Sequence, residues 1–181
     1  MRIRSAAAAL LLLATASVPL QAQAADDLSN KIVNDPGEPQ INGAKATLRD
    51  DAKVQGGKAL RIQVKGKGTN VWDAAIESPI KKPIKAGDQI VLAFSARLEK
   101  SDSGAATAAF PFAGVQFATA PYNSIAMNGF ELGPDWKMVE IRGKADRNYS
   151  PGELKVSIHL ATAKQTVDFG PVIVLDLGPG S

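Results

Sequence analysis

The sequence predicts an all-β fold, a two-sheet β-sandwich or jelly roll. Three observations carry that expectation. Several short segments alternate apolar and polar residues with a period of two, which sends successive side chains to opposite faces of a sheet. Clusters of Gly, Pro, Asn and Asp interrupt these segments at intervals of about 8–12 residues, the spacing of sandwich turns. After residue 24 no segment carries the i, i+3, i+4 apolar pattern of an amphipathic helix.

The first 24 residues read as a cleaved signal peptide. Arg2 and Arg4 precede an apolar run over residues 6–16, and Ala22-Gln23-Ala24 has the small-x-small form of a cleavage site. The run is shorter than the roughly 20 residues a membrane helix needs, so secretion or periplasmic export without membrane insertion is expected. Residues 25–181 then form a single domain, long enough to bury a core. The leader holds two of the 21 basic residues and no acidic one, which leaves 19 against 18 and a net charge of +1. So small an excess does not argue for a nucleic-acid partner. The chain has no cysteine and one histidine, His159, which argues against a zinc or haem site.

The elements follow in order. Asn34-Asp35-Pro36-Gly37 is a strong turn, and residues 44–49 suit a first short strand. Residues 59–65 alternate with Leu60, Ile62 and Val64 inward. Residues 71–77 form a Trp-Asp strand, a Lys/Pro/Gly turn follows over 81–88, and residues 89–98 alternate strictly. In that last strand Ile90, Leu92, Phe94, Ala96 and Leu98 share one parity, and Val91, Ala93, Ser95 and Arg97 the other. Strands are also expected over 112–119, 136–143, 154–161 and 167–177, with 121–127 irregular.

Parity selects the candidate site. If these strands share a sheet, its solvent face carries Asp73, Glu77, Arg97, Phe112, Gln116 and His159, spaced by Gly, Ala and Ser. Planar polar side chains that donate and accept hydrogen bonds, beside an aromatic platform, suit recognition of sugars. Other readings stay open. Arg97 also suits a cross-strand ion pair with Glu77 or Asp73. Trp72 groups by parity with Ala74 and Ile76 in the core, unless a bulge turns it out. Trp136 suits a core plug at a sheet edge, and Tyr122 a groove rim. Catalysis is poorly supported. Asp73 and Glu77 would stand about 13 Å apart on one strand, beyond a glycosidase carboxylate pair. No Gly-x-Ser-x-Gly elbow occurs, and Gly66-Lys67-Gly68-Thr69 lacks the first glycine of a phosphate loop.

From about Asn30 to Leu177 the chain resembles the carbohydrate-binding modules of families 4 and 9. The motifs that carry the resemblance are Asn30 to Gly37, Gly57-Lys58-Ala59-Leu60-Arg61-Ile62, Trp72-Asp73, Ile84 to Asp88, Leu92 to Arg97, Trp136-Lys137 and Ser157-Ile158-His159-Leu160. The resemblance implies a jelly roll whose concave sheet binds a polysaccharide or oligosaccharide without catalysis, with Trp72, Arg97, Gln116 and His159 on or beside the groove. It also implies a structural calcium (Ca2+) near the N-terminal turn and the last strand, with Asp35 and Asp168 as its ligands. Glycoside hydrolases or surface proteins are the associated partners. The alternatives are a protein-interaction or structural domain that kept the fold without the sugar, and a hydrolase or lyase using His159, Tyr122 and Arg97.

Overall fold

The computed structural model describes residues 28–180, so the expected signal peptide lies outside the described residues. Of the stretch ending at Asn30, residues 28–30 are described and are helical. From Lys31 the chain builds eleven strands among the described residues: β1 (Gln40–Asn42), β2 (Lys45–Asp50), β3 (Lys58–Val64), β4 (Ala75–Pro79), β5 (Asp88–Ser101), β6 (Ala108–Phe117), β7 (Ser124–Leu132), β8 (Lys137–Lys144), β9 (Leu154–His159), β10 (Gln165–Phe169) and β11 (Ile173–Pro179). They form two antiparallel sheets, so the expected β-sandwich is present. One sheet runs β1-β4-β9-β6-β7. The other is built around the long β5, which pairs with β8, with β10 over its second half and with β11 over its first, and it continues through β3 to β2.

The alternation along β5 holds: Ile90, Leu92, Phe94, Ala96 and Leu98 are all buried. They meet Ile76, Val115, Val156 and Ile158 from the facing sheet. An aromatic cluster fills one part of the core, with Phe110 stacked on Phe130 at 4.9 Å and Phe94 at 5.4 Å from Phe130 and 5.5 Å from Phe169. Removing this apolar surface from water is the main stabilising term.

Four expectations need correction. Residues 71–77 are not one strand: Val71–Asp73 is a 3-10 turn, and β4 begins at Ala75. The segment read as irregular at 121–127 runs into β7, and the strand expected over 167–177 is split into β10 and β11 at Gly170-Pro171. Above all, β4 and β5 are neighbours in sequence but lie in different sheets. The link between them buries Ile80 and Ile84 at the end of the sandwich and carries the chain across the core. Arg97 therefore does not share a face with Glu77 and His159.

Candidate functional site

The outer face of the five-stranded sheet holds a groove of about 440 Å³. Strand register builds its floor. On β9, Leu154, Val156 and Ile158 point into the core, which turns Lys155, Ser157 and His159 outward. Ser157 lies opposite Glu77 of β4 on one side and Gly114 of β6 on the other. Lys155 lies opposite Gln116, and His159 opposite Ala75. Gly114 keeps the floor bare. A Cβ there would stand 2.5 Å from the Ala126 carbonyl oxygen and 3.1 Å from Cζ of Phe112, so any side chain would collide with the neighbouring strand.

Rings wall the groove. His159 stacks on Phe112 with centroids 4.5 Å apart and meets Trp72 edge-on at 5.9 Å. Trp72 is 57% exposed, so it belongs to the groove and not to the core. Local hydrogen bonding explains why. The Asp73 carboxylate accepts the Asn70 backbone N–H at 2.9 Å, closing the 3-10 turn. The Val71 carbonyl accepts the Ala161 N–H at 3.0 Å and the Ala74 carbonyl the Leu160 N–H at 2.7 Å, which ties the turn to the end of β9 beside His159. Gly43, at φ 65°, passes beneath the turn, where a Cβ would fall 1.7 Å from the Asp73 carbonyl oxygen. The tight turn breaks strand parity and swings the indole outward. At the other end Tyr122 is 52% exposed, with Nζ of Lys155 5.6 Å from its ring centroid.

The polar groups of the groove are few. Lys155 Nζ donates to Glu77 Oε1 at 2.6 Å, both side chains being half-buried. Gln116 is 7% exposed and Ser157 is buried, yet both line the groove. Burial holds the His159 imidazole below its ordinary pKa of 6.5, against an upward pull from Glu77, so the ring is neutral near pH 7 and offers one donor and one acceptor. Of the expected site residues, Trp72, Glu77, Gln116, Tyr122 and His159 line this groove, and Phe112 backs His159. Asp73 caps the turn that carries Trp72. Lys155 and Ser157, which strand parity turns outward with His159 but which were not among the expected ligand contacts, also line it.

No protein-family model matches the chain, and no curated protein matches it. Solved structures do. A CBM4 module superposes with a TM-score of 0.59 at 16% identity, over 78% of this chain and 96% of its own. The second N-terminal cellulose-binding domain of β-1,4-glucanase C from Cellulomonas fimi gives 0.57 at 17%, over 80% and 88%. The CBM22-1 xylan-binding domain from Paenibacillus barcinonensis gives 0.55 at 11%, over 82% and 96%. This chain has the fold of a carbohydrate-binding module.

The structure does not offer calcium the expected ligands. Asp168 is 0% exposed and sits on β10 between Arg61 of β3 and Arg97 of β5, its direct cross-strand partners. Its Oδ1 accepts Arg61 Nε at 2.8 Å, and its Oδ2 accepts Arg61 Nη2 at 3.0 Å, Arg49 Nη1 at 3.0 Å and Arg97 Nη2 at 2.9 Å. Burial alone would raise this carboxyl, but the Arg61 and Arg97 guanidiniums hold it below the ordinary carboxylate value. Asp35 accepts Lys81 Nζ and the Gly37 N–H, both at 3.0 Å. With both carboxylates committed to cations or backbone, neither fits a calcium ligand, and among the described residues no group of three His, Cys, Asp or Glu is placed to hold a metal.

Arg97 needs the same correction. It pairs with Asp168 and, at 2.5 Å, with Glu99, not with Glu77 or Asp73. Its guanidinium lies 5.5 Å from the Trp136 ring centroid, so Trp136 packs on this cluster on the outer face of the larger sheet. A catalytic trio of His159, Tyr122 and Arg97 cannot assemble from opposite faces of the sandwich.

Proposed function

We propose that this protein binds a polysaccharide or oligosaccharide in the groove on the five-stranded sheet, without catalysis. The observation that carries the reading is the combination of a bare polar floor at Gly114 and Ser157 with exposed or ring-backed aromatics at Trp72, His159 and Tyr122. Sugars present apolar ring faces and a rim of hydroxyls; an indole or phenol receives the face, and an amide, a hydroxyl and a neutral imidazole serve the rim. Glu77 is the carboxylate lining the groove and is ion-paired with Lys155, so the two-carboxylate arrangement of glycoside hydrolysis has no counterpart there. The likeness to cellulose- and xylan-binding domains supports the same reading. Export, from the leader-like residues 1–24, and action beside glycoside hydrolases or surface proteins belong to this proposal.

Affinity electrophoresis against plant and bacterial glycans tests it. Retardation by at least one glycan, lost in Trp72→Ala and His159→Ala and kept in Arg97→Ala, is expected. Migration unaffected by every glycan would overturn it and favour a protein-interaction role.

A further inference from the structure

The groove has a direction, a length and a charge balance. Its β9 residues Lys155, Ser157 and His159 follow one another on one face of one strand, so the trough runs along the strand. Four residues of strand cover about 13 Å, roughly two to three pyranose units end to end. An exposed ring stands at each end and none between them: Trp72 beside His159, and Tyr122 beside Lys155. Tyr122 holds φ 57°, a left-handed conformation that costs a non-glycine residue about 1 kcal/mol or more. That conformation sits at the residue whose ring closes the groove.

The charge balance is internal. Glu77 and Lys155 are paired at 2.6 Å with both side chains half-buried, and His159 is neutral near pH 7. An acidic ligand would meet a lysine whose charge is already compensated, and would lie beside the Glu77 carboxylate. The repulsion is strengthened by partial burial.

On the carbohydrate-binding reading above, we infer that the groove takes a short neutral oligosaccharide segment laid parallel to β9, one sugar face on Trp72 and another on Tyr122. The Glu77–Lys155 pair acts as the specificity device that rejects uronate-bearing glycans.

Isothermal titration with cello-, xylo- and laminari-oligosaccharides of one to six units, and with oligogalacturonates of the same lengths, tests this. Affinity for a neutral series should climb to about three units and then level, and oligogalacturonates should bind at least tenfold more weakly. Trp72→Ala and Tyr122→Ala should each lower affinity about tenfold or more. Glu77→Gln, which leaves Lys155 uncompensated, should raise the acidic-to-neutral affinity ratio at least tenfold, and Glu77→Gln with Lys155→Gln should bring it back down. A climb that continues through six units overturns the length and direction. Equal binding of acidic and neutral series by the parent protein, or an unmoved ratio in Glu77→Gln, overturns the charge filter. Binding by none of the four series at any length overturns the carbohydrate reading along with it.

Discussion

The two outer faces of the sandwich are made by the same rule and put to opposite uses. On both, alternation turns polar side chains away from the core. On the larger sheet, Arg49, Arg61 and Arg97 all converge on Asp168, with Glu99 bridging two of them, so each guanidinium has an ionic partner within the face. On the five-stranded sheet, Ser157, Gln116 and His159 line an open trough between two exposed rings. A face whose hydrogen-bonding capacity is spent on itself holds a fold together. A face that leaves capacity facing a cavity is equipped for a ligand.

The largest effect should come from the spent face. Asp168→Ala leaves three guanidiniums around an empty position and should cost about 3–5 kcal/mol in urea unfolding, the scale for removing one partner of a buried ion pair. The same carboxylate should dominate acid behaviour. Its folded pKa lies below the ordinary 3.8, so its contribution is present above pH 3.8 and lost as pH falls through the lower folded value. An acid-unfolding limb unchanged in Asp168→Asn would contradict this assignment.

The next effect separates the faces by function. Trp72→Ala should weaken glycan retention by about tenfold, near 1.4 kcal/mol. Arg97→Ala should do the reverse, lowering the urea midpoint while retention stays as in the parent protein. If Arg97→Ala weakened retention and Trp72→Ala did not, the assignment of the two faces would have to be exchanged.

A smaller effect belongs to His159. Burial lowers its folded pKa, so between pH 6.5 and that lower value the unfolded chain binds a proton that the folded chain does not. Stability is therefore full above pH 6.5 and declines as pH drops through this window. His159 is the one histidine of the chain, and His159→Gln should flatten the difference in urea midpoint between pH 7 and pH 5. An identical slope in the variant would remove His159 as its source.

The smallest expected effect is that of metal. With Asp168 held by arginines and Asp35 by Lys81, adding calcium or a chelator should move the thermal midpoint by less than about 1 °C, where a bound structural ion would shift it by several degrees. A calcium-dependent rise would point to ligands other than these two.

Much of this was legible in the chain. The inward sets of β5 and β9 could be read residue by residue, because period-two alternation is a local property set by backbone geometry. The outward positions of Lys155, Ser157 and His159 on β9 followed from the same rule. Trp72 was ambiguous for a reason that is also local: a capped 3-10 turn, closed by Asp73 on Asn70, replaces the strand that parity assumed. The Asn70-x-x-Asp73 spacing was the available signal.

Arg97 and Asp168 could not be placed this way. Alternation tells which side chains share a face of a strand, and it does so within a few residues. It carries nothing about which strand lies alongside. That β4 joins β9 while β5 joins β8, β10 and β11 is settled by pairings between segments as much as 91 residues apart and by burial of Ile80 and Ile84 in the link between the sheets. Local geometry made this an all-β chain with readable faces. Long-range packing determined that one of those faces would be a closed arginine cluster and the other an open groove.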